Sequence, residues 1–250
     1  MNRKALIIGI PGDGIHAKKL AGVDVDLNNY FRFLSSPLGG SWTEQEIRIL
    51  RNPAEALLAR ELQNLDHVDY AFVAYSGHGG HDTSTRTTHI QLENGEMFDS
   101  QRMLTDAPKQ TLVLDCFRDH YTPSLLKSIL TLEHLAKVIE PLDLNRCRAA
   151  FDAHLKACSP AIITLNACAS TELAGDRAEF GGLYSSSLIE VAEEFGESPL
   201  NAFSPRPIIL DVPTAHEHAT GKVHKTSKGL QNPKIDMPRA RTYFPFAVIA

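Results

Sequence analysis

The chain has 250 residues, 43% of them hydrophobic and 22% charged, the composition of an ordinary globular domain of one or two units. Its 25 basic and 30 acidic side chains leave a net charge of −5 with no long run of either sign, which argues against a nucleic-acid binder and a polybasic membrane-surface protein. No apolar stretch approaches the roughly 20 residues of a membrane span, the first is too short for a signal peptide, and the four cysteines hold no C-x-x-C pair. A reducing, cytoplasmic setting is expected. Ala5–Ile10 is a continuous apolar run ended by Pro11 and Gly12, as in a buried parallel strand. Asp24 to Leu34 carries a helical stripe through Val25, Leu27, Tyr30, Phe31 and Leu34. Glu46–Leu50 alternates like a second strand, and Asn52-Pro53-Ala54-Glu55 then places a cap, a first-turn proline and a glutamate three residues past the cap. A helix is therefore predicted over Pro53–Leu65. Tyr70–Tyr75 is another buried strand, and it stops at Ser76-Gly77-His78-Gly79-Gly80.

Past that point His89 to Phe98 reads as a hairpin turning at Asn94-Gly95. Asp99 to Asp106 suits a short helix, Thr111–Cys116 a strand, and Ser124 to Lys156 a helical pattern broken near Pro141. Ala161–Leu165 is strand-like and Leu183–Phe195 helical. Residues 196–238 hold six prolines and three close histidines (His216, His218 and His224), so this segment is expected to be mostly loop. Tyr243–Ile249 closes the chain as a strand. Alternating strands and helices predict a single α/β domain over 1–250, with a mainly parallel sheet covered on both faces.

In an open parallel sheet, ligands bind beyond the carboxyl ends of the strands. His78 and Cys116 both fall at such ends. A neutral histidine beside a cysteine can take the thiol proton, and the thiolate attacks acyl groups. Glycines around His78 leave room for a peptide backbone and could offer N–H groups to an oxyanion. A free cysteine is also often a small buried hydrophobe.

The order of these landmarks resembles that of the caspase-like cysteine peptidases, nearest to the metacaspases and their bacterial relatives. Tyr75-Ser76-Gly77-His78-Gly79 matches the family's histidine motif letter for letter, and Leu20 to Asp26 resembles its first helix start. Leu112 to Phe117 resembles the cysteine strand, Ile163 to Ser170 and Gly181 to Ser186 the later strand and helix start, and Gln231 to Pro233 and Phe244 to Phe246 the closing strand. The resemblance implies a three-layer α/β/α fold with a six-stranded, mainly parallel sheet. It also implies a cysteine endopeptidase in which His78 is the base, Cys116 the nucleophile and Gly77 or Gly79 near the oxyanion, acting through a thioester. Family members write Asp-x-Cys, whereas here Asp115 touches Cys116 directly. Alignment on the cysteine keeps a thiol opposite His78; alignment on the aspartate puts Phe117 in the nucleophile's place and makes an inactive, peptide- or partner-binding relative. Cys168, in Leu165-Asn166-Ala167-Cys168, resembles the nucleophile strand of the related CHAT peptidases and is a second candidate.

Metacaspases cleave after arginine or lysine. By resemblance Asp115 and Ser76 line the pocket for that side chain, and Asp119 and Asp176 could add negative charge, although Arg118 and Arg177 lie close by. Carboxylates suit a planar guanidinium fork. Protein or peptide substrates are implied, and a separate regulatory protein has room to act, since 250 residues leave little for a sensor domain. No metal site is expected. Calcium activates some metacaspases, but its acidic cluster has no counterpart here. The region 122–160 is where an activating cut is expected. His81 and His89 flank a Thr/Ser-rich stretch expected to form a loop beside the site, and Cys147 and Cys158 sit in helical pattern as packing residues.

Overall fold

A computed structural model describes residues 1–15, 17–82, 87–92, 94–117, 142–170, 172, 174–198, 204 and 206–250. Along the chain run β1 (Arg3–Ile10), α1 (Val23–Ser35), β2 (Ile47–Arg51), α2 (Glu55–Gln63), β3 (Tyr70–Asp82), β4 (Thr87–Gln91), β5 (Met97–Asp99) and β6 (Lys109–Phe117). They are followed by α3 (Leu144–Ala157), β7 (Ala161–Asn166), β8 (Asp176–Arg177), β9 (Gly181–Gly182), α4 (Leu183–Glu197), β10 (Ile208–Asp211), α5 (Val212–Thr226), β11 (Lys234–Asp236) and β12 (Pro245–Ile249).

The central sheet runs in the order β11-β7-β6-β3-β1-β2, with β4 and β5 attached to the end of β3. The pairs β1–β2, β1–β3, β3–β6 and β6–β7 are parallel, and only β11 on this six-strand path runs antiparallel. The strands β1, β3 and β6 are apolar on both sides because both faces are covered, the reason they read as unbroken apolar runs. One core, including Tyr30, Phe72, Phe151, Leu188 and Ala215, lies between the sheet and α1, α3, α4 and α5. The other, including Leu58, Leu62, Tyr75, Ile90, Phe98 and Leu114, lies under α2 and the β4–β5 hairpin. These are the three layers that the element order predicts.

Arg3, with no exposed surface, fixes the far end of the first core. Its guanidinium donates to the Gly40 carbonyl at 2.6 Å, pairs with Asp152 at 3.0 Å and lies over the Trp42 ring at 4.5 Å. Paired and hydrogen-bonded in this way, a buried cation is tolerable.

Several sequence expectations need correction. Asn52 takes a left-handed φ of 49° in the turn, so α2 starts two residues later than its proline suggests, capped by Ala54 without a side-chain bond. The buried stripe of α1 runs through Val23, Asp26, Leu27, Tyr30, Phe33 and Leu34. It includes an aspartate where the expected stripe had Val25 and Phe31. The segment 196–238 is not mostly loop, for it contains β10, α5 and β11. Asp211 caps α5 through a bond from the Thr214 amide at 2.9 Å, Pro213 lies in the first turn where proline is tolerated, and Val212, Ala215, His216, Ala219 and Val223 form its buried face. His216 is thus a core residue rather than a loop histidine. β12 pairs with β10 in a separate antiparallel pair and does not join the central sheet. The hairpin turns at Gly95 (φ 82°) as expected, and Cys147 and Cys158 are buried at α3.

Candidate ligand and active site

The site is built where β6 ends beside the middle of β3, which runs on past Tyr75, the expected end of the strand, to pair with β4. Their parallel register pairs Ser76 with Asp115, Gly77 with Cys116 and His78 with Phe117. Successive residues of a strand point to opposite faces. Along β3 this sends Phe72, Ala74, Ser76 and His78 toward α1 and α4, and Tyr75 and Gly77 toward the hairpin. Along β6 it sends Val113 and Asp115 toward α1 and α4, and Leu112, Leu114 and Cys116 toward the hairpin.

On the helical face three carboxylates converge. Asp26 of α1, 1% exposed, accepts from Ser76 Oγ at 2.5 Å and from the Gly182 amide at 3.0 Å. Asp115, with no exposed surface, accepts from the amide of Ser185 at 2.9 Å and its hydroxyl at 2.7 Å, both on Oδ2. Its Oδ1 has no hydrogen-bond partner. Asp176 accepts from the Gly22 amide at 3.4 Å. Gly182 is needed here because a Cβ on it would run into the Asp115 carboxylate.

No cationic side chain among the described residues pairs with Asp26 or Asp115, so the charge is left to burial and to neutral donors. Burial pushes the Asp115 carboxyl up to about 6 against the bonds from Ser185, with Asp176 adding repulsion. Burial and then the neighbouring Asp115 push Asp26 well above the usual carboxylate range. Ser76, Asp115 and Asp176 are therefore brought together. Asp26 joins them, although reading the sequence gave it no role; an acid inside an otherwise buried helical stripe was the available signal. Asp119 and Arg118 lie outside the described residues, as does the part of the expected activation region before Leu142.

His78 stands at the rim of the same face. Its Nε2 lies 2.5 Å from the carbonyl oxygen of Lys18, in the loop after β1. A carbonyl can only accept, so Nε2 carries a proton, and the ring is held with Nδ1 as its other nitrogen. Lys18 was not anticipated, since a backbone carbonyl leaves no trace in residue type.

Cys116 is not on this face. It is 3% exposed within the hairpin-side core, near Tyr75 and Leu114. Gly79, paired with Ile90 of β4, packs so closely that a Cβ on it would approach Cys116 Sγ to 3.1 Å. The position in register with His78 belongs to Phe117. Cys116 is thus paired in register with Gly77 and packed in the hairpin-side core, while His78 is paired with Phe117. Cys168, beyond β7, donates to the Glu172 carbonyl at 3.3 Å and lines, with His81 and Thr164, a cavity of about 510 Å³ on the hairpin side. Among the described residues no three His, Cys, Asp or Glu side chains form a metal-binding group, and no helix is long and apolar enough to cross a membrane.

A mainly parallel sheet in the order 2-1-3-6-7-11, with a histidine on β3 beside the end of β6 and an acid near that end, defines a caspase-type domain. The caspase-domain model of the peptidase C14 family matches residues 2–244, and the chain belongs to that family of cysteine peptidases. Its fold is similar to caspase-1 from Spodoptera frugiperda (TM-score 0.57, 14% identity, 94% of this chain and 86% of that chain covered). It is also similar to a protein from Geobacter sulfurreducens (TM-score 0.61, 15% identity, 100% of each chain covered). No curated protein sequence matches it.

Proposed function

We propose that this chain is a caspase-family domain that holds a peptide by a basic side chain, arginine or lysine, without cutting it. The observation that carries the reading is the register of β6 on β3. It pairs Asp115 with Ser76 and Phe117 with His78, while Cys116 belongs to the hairpin-side core. A thiol transfers its proton to a base only within hydrogen-bond reach, and strand alternation turns the two side chains to opposite faces. The pocket side is intact. Asp26 and Asp115 offer buried carboxylate oxygens in want of a cation, and Asp176 and Ser76 flank them. A guanidinium would find charge-assisted bonds there.

A second reading, a cysteine endopeptidase cleaving after arginine or lysine, is favoured by His78, whose ring the Lys18 carbonyl already orients. It requires a bulge after Asp115 that turns Cys116 round to attack the peptide carbonyl. His78 would then serve as base and acid, Gly77 or Gly79 would face the oxyanion, and a thioester would form. Calcium belongs to this reading only, as an added activator. Fluorogenic peptides ending in arginine, lysine or aspartate, given with and without calcium, separate the two. Binding of the basic peptides without turnover is the expected result. Turnover lost in both Cys116→Ala and His78→Ala would replace the binding reading by the endopeptidase, and turnover lost in Cys168→Ala alone would move the nucleophile there.

A further inference from the structure

We infer that the buried Asp26–Asp115 pair carries one proton until a cation binds, and that a guanidinium or ammonium group binds by displacing it, so that pH sets the affinity. The inference deepens the reading of the site as a pocket for basic side chains and rests on it.

The geometry demands some such neutralisation. Both carboxylates are withdrawn from water, and two like charges held together in a buried site do not both ionise readily. Among the described residues, the groups facing them are neutral or acidic. From β3 comes the Ser76 hydroxyl, and from β9 the Gly182 amide. From α4 come the amide and hydroxyl of Ser185. From α1, Tyr30 donates to Ser185 Oγ at 3.0 Å and reaches the pair only through it. Tyr184 stands behind with its hydroxyl bonded to His216, and β8 adds Asp176, a third acid. These donors satisfy Asp115 Oδ2 and both oxygens of Asp26 and leave Asp115 Oδ1 without a partner. A neutral carboxyl is the cheap state of that arrangement until a cation enters. When it does, the proton passes to solvent and the cation takes its place, so charge in the pocket is the same before and after. Burial raises the proton affinity of both groups, in line with a proton held near neutral pH.

The test is calorimetric titration of the whole chain with an N-acetylated tetrapeptide amide ending in arginine. It is done from pH 5.5 to 8.5 in paired buffers of different ionisation enthalpy, with the citrulline peptide as the uncharged control. Release of close to one proton per peptide at the acid end is expected. Affinity should rise about tenfold per pH unit while the proton is retained, and citrulline should not bind. Asp26→Asn removes one of the two acids and should flatten the pH dependence. Arginine binding with no proton release and no pH dependence in the unmodified chain overturns the inference while leaving the pocket reading standing. Absence of arginine binding at every pH overturns both.

Discussion

Replacing Asp115 with asparagine should make the domain more stable at neutral pH. The carboxyl is fully buried and its proton affinity is raised from 3.8 to about 6. A group bound more tightly by protons in the fold than in the unfolded chain stabilises the fold below its unfolded value, and that contribution is lost as pH rises through the folded one. The interval from 3.8 to about 6, at ~1.4 kcal/mol for each tenfold change in proton affinity, is about 3 kcal/mol. Asparagine is neutral throughout and keeps an oxygen for the two bonds from Ser185, so Asp115→Asn should gain up to about 3 kcal/mol at pH 7.5 and little at pH 4. For a domain of this size that is roughly 6–12 °C in Tm. Urea unfolding at the two pH values reads it directly. A variant less stable than the parent at pH 7.5, or a difference equal at both pH values, would refute the account of a carboxylate kept buried without a cation. The same substitution should abolish binding of the arginine peptide, a stability gained at the expense of function.

Further outcomes follow from the same geometry. Asp152→Ala leaves the buried Arg3 guanidinium with Glu46, at 3.7 Å, as its one acidic partner among the described residues, and should lose about 3 kcal/mol in urea unfolding at pH 7. His216 is held neutral by burial, its proton affinity lowered to about 4. Its contribution is present above about 6.5 and fades as pH falls toward 4, so His216→Gln should flatten the acid side of the stability profile between those values. Iodoacetamide should label Cys116 in the native protein only as fast as the chain opens, and at once in urea. Phe117→Cys, which puts a thiol in register with His78, should raise hydrolysis of an arginyl fluorogenic peptide by at least ~100-fold, the low end of what a placed base contributes. That gain should vanish on adding His78→Ala.

The layered fold was legible because buried strands such as Ala5–Ile10 and Tyr70–Tyr75 have no polar side to disguise them. The histidine motif was legible because a glycine-flanked histidine after such a strand is a rare pattern. Other features depended on partners distant in the chain. Pro213 and the histidines made α5 read as loop, although Asp211 caps it and the Tyr184 hydroxyl satisfies His216 from another helix. Asp26 is buried by partners far from its own helix in the chain, with donors from Gly182 and Ser76. The separate pair β10–β12 shows only one of its strands in the sequence pattern, because β10 lies in the proline-rich segment.

The placement of Cys116 follows from parity. Asp115 must face α4 to take two bonds from Ser185, and His78 must share the face of Ser76, which bonds Asp26. In an unbulged strand, side chains on one face are separated by even numbers of residues. A nucleophile for His78 on β6 therefore belongs two residues after Asp115, at 117, and the residue one after it belongs to the opposite core. The spacing Asp-x-Cys satisfies this rule and Asp-Cys breaks it. A bulge after Asp115 would be needed to turn the thiol round, and the closeness of Gly79 to Cys116, with the His89 carbonyl 2.7 Å from where a Gly79 Cβ would stand, fits the opposite face around the cysteine where it is. On the proposed reading, the parity that turns the thiol from the histidine is the same one that turns Asp115 toward Asp26 and Ser76, so a lost dyad and a retained cation site would have one cause.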